Sequence, residues 1–303
     1  MRKLLSVFLA GCLLLLLPAT IWASAETTYE SEQGQAMIKA PSSASPNASA
    51  NTEADVDSSD DSEGTLSPSG SSSGMDWSAA NTASTPSSGS RQFTVCIDPG
   101  HQGSWVNMSE QEPSGPGSSE MKAKATTGTQ GRYTGVPEYQ LNLDISLALQ
   151  KELENRGYRV VMARTDNDTA ISNSERALKA YEEGGEIYVR IHANGSDDSS
   201  VNGALGMTPS YENPYVANLA EESYRLTECI LNTYCNETGF NNLGIQYHDD
   251  MTGINWSKIP VMILEMGFMT NEHDDTAMQD ADMQAKMVSG IADGIDLYFG
   301  DSQ

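Results

Sequence analysis

Short apolar runs alternate with longer helix-like segments from residue 91 to the end of the chain. The strand-like runs are 93–97, 158–164, 187–191 and 261–264. Runs of this length, rich in β-branched and aromatic residues, are typical of buried strands. Strands that alternate with helices form a sheet whose faces are covered by those helices. The sequence therefore predicts a single α/β domain over residues 91–303.

Helix signals fill the segments between these runs. Leucine and isoleucine recur at helical spacing over 138–156, and Gly157 ends that segment. Ser172 and Glu175 form a capping box, the pattern with which many helices begin. The remaining predicted elements are helices at 214–238 and 282–299 and an edge strand at 203–210.

The first 25 residues have the layout of a signal peptide. Arg2 and Lys3 precede an apolar run over 4–22, and Ala23-Ser-Ala25 is a small-x-small cleavage site. The alternative is an uncleaved membrane anchor, because the run is just long enough to span a bilayer. Cys12 lies in a lipoprotein-like context, but the longest apolar stretch follows it, so lipidation ranks last. All three interpretations export the chain.

Residues 26–90 consist mostly of Ser, Thr, Ala, Pro, Asn and acidic residues. They cannot bury enough apolar surface to offset the entropy of ordering, which predicts a disordered linker. The whole chain carries a formal net charge of −25. Nucleic acid and anionic lipid are therefore not expected as partners, and membrane contact is expected only if the N-terminal segment is retained. The oligomeric state stays open.

Four ionisable residues lie where predicted strands end or a predicted helix begins. His101 follows the first strand, His192 and Glu265 directly follow later strands, and Glu138 opens the first helix. In open α/β sheets, sites form outside the carboxyl ends of the strands. Each residue alone has a structural explanation, such as a turn histidine or a carboxylate at a helix start. Glu265 is the hardest to explain in this way, because a buried carboxylate is costly unless paired.

Together, these two histidines and two glutamates match the needs of a catalytic zinc site. Catalytic zinc takes three protein ligands, commonly two His and one carboxylate, and keeps a position for water. The metal lowers the pKa of that water and polarises the scissile carbonyl. A further carboxylate then acts as general acid/base toward the leaving nitrogen. Spacing alone leaves the zinc site and the separate structural roles equally open.

Four motifs surround these residues: Val95-Cys-Ile-Asp-Pro-Gly-His101, Glu138, Ile191-His-Ala-Asn194 and Val261-Met-Ile-Leu-Glu-Met-Gly-Phe-Met-Thr-Asn271. In this order they resemble the zinc-dependent N-acetylmuramoyl-L-alanine amidases of the Amidase_3 family. The resemblance implies one zinc ion held by His101, Glu138 and His192, with Glu265 as the catalytic carboxylate. It also implies a mixed sheet of roughly six strands with helices on both faces.

The reaction implied by the resemblance is hydrolysis of the amide bond between N-acetylmuramic acid and L-alanine in peptidoglycan. Peptidoglycan is then the expected partner, and an exported autolysin, extracellular or in the cell wall, is the expected protein. Two alternatives remain. One is a zinc peptidase that cuts within the stem peptide, and the other is a non-catalytic wall-binding module on the same fold.

The stretch between His101 and Glu138 is longer than in typical members of the family and rich in Gly, Ser, Pro and Thr. It is predicted to be a long loop over 102–137, of the kind that is often functional or mobile. Glu138 is the preferred ligand, because the leucine-rich helix after it matches the family pattern. The alternative ligands in this stretch are Glu110, Glu112 and Glu120.

Three further residues are predicted to contact substrate: Asn194, Asn255 and Trp256. Amide side chains donate and accept hydrogen bonds, and an indole ring can stack on a sugar or peptide group. The alternative for Trp256 is a place in the core.

Overall fold

The computed structural model describes residues 93–300, so the predicted signal peptide (1–25) and linker (26–90) lie outside the described residues. The strands are β1 (Thr94–Pro99), β2 (Gln111–Pro113), β3 (Met121–Ala123), β4 (Arg159–Met162), β5 (Ile187–Asn194), β6 (Ala204–Thr208), β7 (Asn242–Tyr247) and β8 (Val261–Phe268). The helices are α1 (Glu138–Asn155), α2 (Asn173–Glu182), α3 (Ala220–Thr238), α4 (Thr252–Asn255), α5 (Glu272–Ala277) and α6 (Ala281–Gly300).

Six strands form one mixed sheet in the order β4-β1-β5-β8-β6-β7. Strands β4, β1, β5 and β8 are parallel, whereas β6 runs antiparallel to β8 and β7 runs parallel to β6. The predicted α/β class and mixed six-stranded sheet are confirmed. Because β1, β5 and β8 are parallel, their carboxyl ends lie at the same edge of the sheet.

Helices cover both faces of the sheet, as predicted. Helices α1, α3 and α6 pack on one face with alternate residues of β5, including Ile187 and Val189. Helices α2 and α4 pack on the opposite face, where Tyr188 lies. Side chains alternate along a strand, so Arg190 and His192 share the face of Tyr188. None of the helices between residues 93 and 300 is long and apolar enough to cross a membrane.

The prediction of an edge strand at 203–210 was wrong in position. Strand β6 lies inside the sheet between β8 and β7, and all five of its residues are buried. The strand at that edge is β7, which the sequence did not reveal because its six residues are only half-buried or exposed and include Gly244. Weak apolar alternation is common in edge strands, and it removed the sequence signal.

The predicted loop over 102–137 contains a small antiparallel hairpin formed by β2 and β3. These strands have three residues each, too short for apolar alternation to appear in the sequence. The predicted helix at 214–238 also begins later than expected. A single 3-10 turn at Ala217–Leu219 precedes α3, which begins at Ala220.

Candidate functional site

Three side chains from three elements meet at the carboxyl edge of the sheet. His101 lies in the turn after β1, Glu138 is the first residue of α1, and His192 lies near the end of β5. Nε2 of His101 is 3.0 Å from Oε1 of Glu138, and Nδ1 of His192 lies 3.2 Å and 3.3 Å from those two atoms. All three residues are at most 4% exposed. The predicted ligands are thus brought together in one buried cluster.

The ring of His101 is held by Thr126, which follows the hairpin. Nδ1 of His101 lies 3.0 Å from the carbonyl oxygen of Thr126. A carbonyl oxygen only accepts, so this contact favours the tautomer with the proton on Nδ1, which leaves the Nε2 lone pair facing the cluster. A partner on the far nitrogen is the usual arrangement for a histidine that binds a metal.

His101 has a left-handed backbone with φ of 63°. This conformation is uncommon for a residue with a side chain, and such residues concentrate at functional sites. The preceding Gly100 makes room for the second histidine, because a Cβ at residue 100 would lie 2.2 Å from the His192 ring. The glycine is therefore required for the close approach of the two histidines, and the Asp-Pro-Gly-His motif was its only sequence signal.

The carboxylate of Glu138 is held by backbone donors from two segments. The amide of Thr129 donates to Oε2 at 2.8 Å, and the amide of Ala193 donates to Oε1 at 3.2 Å. Burial opposes ionisation, but the two backbone amides donate to the carboxylate and favour its charged form. This is the form in which a carboxylate binds a metal.

His192 is fully enclosed by the fold. Burial is the main cause that lowers the pKa of His192 to about 4, so its ring is neutral near pH 7. Its Nε2 atom has no hydrogen-bond partner among the described residues. A neutral imidazole is the form that binds a metal.

Glu265 lies beside His192, its register neighbour on the adjacent strand β8. It is fully buried, and neither carboxylate oxygen has a hydrogen-bond partner among residues 93–300. Burial and the negative charge of Glu138 raise the pKa of Glu265 well above its usual range. An unpaired buried carboxylate next to a cluster of ligands is a candidate acid/base group.

The donor set fits a divalent cation. The Nε2 lone pair of His101 faces the ionised Glu138 oxygen at 3.0 Å, an arrangement that a cation between the two atoms stabilises. Ligands bound at about 2.0–2.1 Å to a tetrahedral zinc ion lie about 3.3 Å apart. The separations of 3.0–3.3 Å match that spacing. Two histidines and one carboxylate are a common donor set for catalytic zinc.

None of the three alternative glutamates joins the cluster. Glu110 pairs with Lys124 at 2.7 Å, and the exposed Glu120 lies 3.8 Å from Lys122. Glu112 is buried, but it accepts hydrogen bonds from Ser174 at the start of α2. Glu138 is therefore the glutamate that the fold brings to the histidines.

The three predicted substrate-contact residues have different surroundings. Asn194 is buried and its amide nitrogen has no partner among the described residues. The amide of Asn255 donates to the carbonyls of Ser114 and Asp249 and accepts from Asn213. The indole of Trp256 donates to the carbonyl of Pro113 at 2.9 Å. The polar groups of Asn255 and Trp256 thus bond to the residues that end the hairpin, Pro113 and Ser114, and contact of Asn194, Asn255 and Trp256 with substrate stays a prediction.

A buried ion-pair network beneath the cluster was missed by the sequence reasoning. Asp98 pairs with Arg176 at 2.6 Å and Arg190 at 2.9 Å, and it accepts a hydrogen bond from Tyr188 at 2.7 Å. Despite burial, the two arginines hold the pKa of Asp98 well below its usual range. Arg190 within an apolar strand was the sequence signal for this network, because a buried charge needs a partner.

Comparison with known proteins identifies the family. A family model described as N-acetylmuramoyl-L-alanine amidase matches residues 95–296. The N-acetylmuramoyl-L-alanine amidase LytC of Bacillus subtilis is 32% identical over 165 residues, which are 54% of this chain and 32% of LytC. LytH of Staphylococcus aureus, a probable cell wall amidase, is 27% identical over 206 residues, which are 68% of this chain and 58% of LytH. The chain thus spans less than two thirds of each relative.

The fold is shared with a solved structure. The amidase Ami1 of Mycobacterium smegmatis matches with a TM-score of 0.63 at 24% identity, and the match covers 70% of this chain and 99% of that chain. The match of the family model extends over more than half of the sequence. The chain therefore belongs to the Amidase_3 family of N-acetylmuramoyl-L-alanine amidases.

Proposed function

We propose that the domain is a zinc-dependent hydrolase of the amide bond between N-acetylmuramic acid and L-alanine in peptidoglycan. The observation that carries the proposal is the buried cluster of His101, Glu138 and His192, with its ligand atoms 3.0–3.3 Å apart. Family membership supports the substrate class. The donor set supports zinc, since two imidazoles and one carboxylate suit this metal.

His101, Glu138 and His192 would hold one zinc ion through Nε2, Oε1 and Nδ1. Bound zinc supplies a Lewis acid that polarises a carbonyl and lowers the pKa of water to about 7. The protein prepares these ligands beforehand. Thr126 favours the His101 tautomer with the proton on Nδ1, burial keeps His192 neutral, and backbone amides favour the ionised form of Glu138.

Glu265 would act as the general acid/base. Its oxygens have no hydrogen-bond partner among the described residues, and the positive charge of a bound metal would favour the ionised form that accepts a proton from the attacking water. The same group would then donate that proton to the nitrogen of the departing L-alanine. Its place beside His192 puts the proton carrier next to the metal ligands.

Replacing Glu265 by Gln separates metal binding from hydrolysis. We expect the Glu265→Gln variant to keep its zinc and to lose about 10²- to 10⁴-fold in rate, the usual contribution of general acid/base catalysis. Zinc content is measured by elemental analysis and rate by digestion of purified peptidoglycan. Glu120→Gln is the control, because that side chain is 64% exposed and outside the cluster. Full activity in Glu265→Gln would remove Glu265 from the mechanism.

The products of the same digestion separate the proposed amidase from its alternatives. An amidase releases peptides with a free amino group on L-alanine and leaves glycan strands without peptide. A peptidase acting within the stem peptide leaves the bond between the lactyl group and L-alanine intact. A wall-binding module would sediment with peptidoglycan and release nothing.

We also propose that the protein acts outside the cell or in the cell wall. Residues 1–25 have the layout of a signal peptide, and the relative LytH is named a probable cell wall amidase. Sequencing the amino terminus of the exported protein tests this. A new terminus after Ala25 supports signal cleavage, whereas an intact terminus in the membrane fraction supports an anchor.

A further inference from the structure

Arg164 is a buried cation whose hydrogen-bond acceptors are all uncharged. The residue is 2% exposed and follows β4 by two positions. Its five N–H groups donate to five oxygens, and each is a backbone carbonyl or the side-chain amide of Asn167. Burial and the nearby Arg176 lower the pKa of Arg164 to about 9. A buried charge without a carboxylate partner is costly, so the presence of an arginine at this position needs an explanation.

The acceptors of Arg164 belong to the two segments that carry the first two ligands of the cluster. Nε donates to the carbonyl of Pro99 at 2.9 Å, and Nη2 donates to the carbonyl of Gly100 at 2.9 Å. The same Nη2 donates to the carbonyl of Tyr139 at 2.8 Å. Gly100 directly precedes His101, and Tyr139 directly follows Glu138.

One guanidinium therefore joins the His101 turn to the first turn of α1. These hydrogen bonds require an arginine, because the planar guanidinium points its donors in fixed directions. His101 needs such support because its backbone has an unfavourable φ of 63°. Arg176 also holds this turn, since it donates to the His101 carbonyl at 2.8 Å. Without Arg164, the separation of His101 and Glu138 would rest on weaker contacts such as Asn142, whose amide lies 3.3 Å from the Gly100 carbonyl.

We propose that Arg164 is a positioning residue, which holds the His101 turn and the Glu138 helix at the separation that the metal requires. The proposal rests on the proposed zinc site. It assigns to Arg164 no contact with substrate or metal. Residues that orient metal ligands typically change metal affinity about 10- to 100-fold when they are replaced.

The test is zinc affinity, measured by competition with a chromophoric chelator on the folded domain. We expect Arg164→Lys and Arg164→Met to bind zinc about 10- to 100-fold more weakly than the unmodified protein. Lysine keeps the charge but cannot bond to three carbonyls in the guanidinium geometry. The visible spectrum of the cobalt-loaded protein is the second measurement, and we expect it to change because it reports on ligand geometry.

Two controls separate positioning from a general loss of stability. Arg159 is another arginine that donates to a backbone carbonyl, in this case that of Glu183. The Arg159→Lys variant should therefore bind zinc normally. Ile295→Val creates a small cavity in the core on the α1 side of the sheet, and it should lower stability while zinc affinity is unchanged. Unfolding of the metal-free proteins shows how far each variant is destabilised.

The possible outcomes point in different directions. Weaker zinc binding and an altered cobalt spectrum in folded Arg164 variants, with normal binding in both controls, support the assignment. Unchanged zinc affinity in a folded Arg164→Lys variant would overturn it and leave the proposed function intact. An unmodified protein that binds no zinc would contradict the proposed function, and the assignment would fail with it.

Discussion

Glycine at two positions lets the histidines and Glu138 approach one another. A Cβ on Gly100 would lie 2.2 Å from the His192 ring, and a Cβ on Gly128 would lie 2.4 Å from Oε2 of Glu138. Real Cβ atoms do not come this close to other nonbonded heavy atoms, so either substitution must displace a neighbouring side chain, His192 or Glu138. The geometry of the site therefore depends on the missing side chains of Gly100 and Gly128 as well as on the histidines and Glu138.

Replacing Gly100 by Ala should weaken metal binding. The new methyl group pushes on the His192 ring, and overpacking of this kind costs about 1–3 kcal/mol. A loss of that size in zinc binding corresponds to about 5- to 150-fold weaker affinity. Isothermal titration of the metal-free protein with zinc measures it. Gly195→Ala is the matched control, because its nearest atom is 3.4 Å away, and equal affinities for both variants would contradict the prediction.

The hairpin of β2 and β3 attaches the segment 102–137 to other parts of the domain. Glu112 accepts hydrogen bonds from the backbone and hydroxyl of Ser174, and Lys122 donates to the carbonyl of Asp250 at 2.8 Å. The chain then runs directly to Thr126, which bonds to His101. The segment that contains the hairpin therefore helps to orient His101.

Replacing Glu112 by Ala should loosen the hairpin. Ser174 loses a buried charged acceptor, which costs about 1–3 kcal/mol. We expect faster proteolytic cleavage within 102–125 in a limited digestion followed by mass spectrometry. Glu120→Ala is the control, since its side chain is 64% exposed. The same cleavage rate in both variants would show that the Glu112 contacts do not hold the hairpin.

The proposed metal would connect the cluster to the stability of the whole domain. The ligands come from the turn after β1, from α1 and from β5, which lie far apart in the sequence. An unfolded chain cannot bring them together, so the proposed metal would bind the folded state and stabilise it. Zinc should therefore act as a stabiliser of the entire α/β domain.

Removing zinc with a chelator should lower the unfolding temperature. Zinc at a hundred times its dissociation constant adds about 2.7 kcal/mol to the free energy of unfolding. In a domain of this size each kcal/mol corresponds to about 2–4 °C. Differential scanning calorimetry with and without zinc measures the shift. Glu138→Gln should abolish the response and His273→Ala should keep it, because the His273 side chain is exposed. A zinc response that survives in Glu138→Gln would place the metal elsewhere.

The elements that could be predicted are those with a strong local signal. The apolar runs of β5 and β8 and the capping box at Ser172 appear as expected, and the box is complete in the structure. The edge strand β7 and the hairpin were missed because their strands are short or partly exposed and carry little apolar alternation.

The candidate site divides in the same way. The motifs around His101, His192 and Glu265 are local in sequence, and strand ends at one sheet edge were enough to predict that they meet. Arg164 and Thr126 gave no such signal, because a bond to a backbone carbonyl does not depend on a recognisable sequence pattern. Which glutamate joins the histidines, Glu138 rather than Glu110, Glu112 or Glu120, also depended on the path of the chain through residues 102–137.

The sequence by itself determined the α/β class, the strand ends where ligands gather and the family, because each depends on residues close together in the chain. The tertiary structure decided which glutamate joins the histidines and how Thr126, Gly100 and Arg164 shape the cluster. These contacts join segments whose order in the chain says nothing about their distance in space. Only the packed sheet and its loops bring them to within hydrogen-bond range.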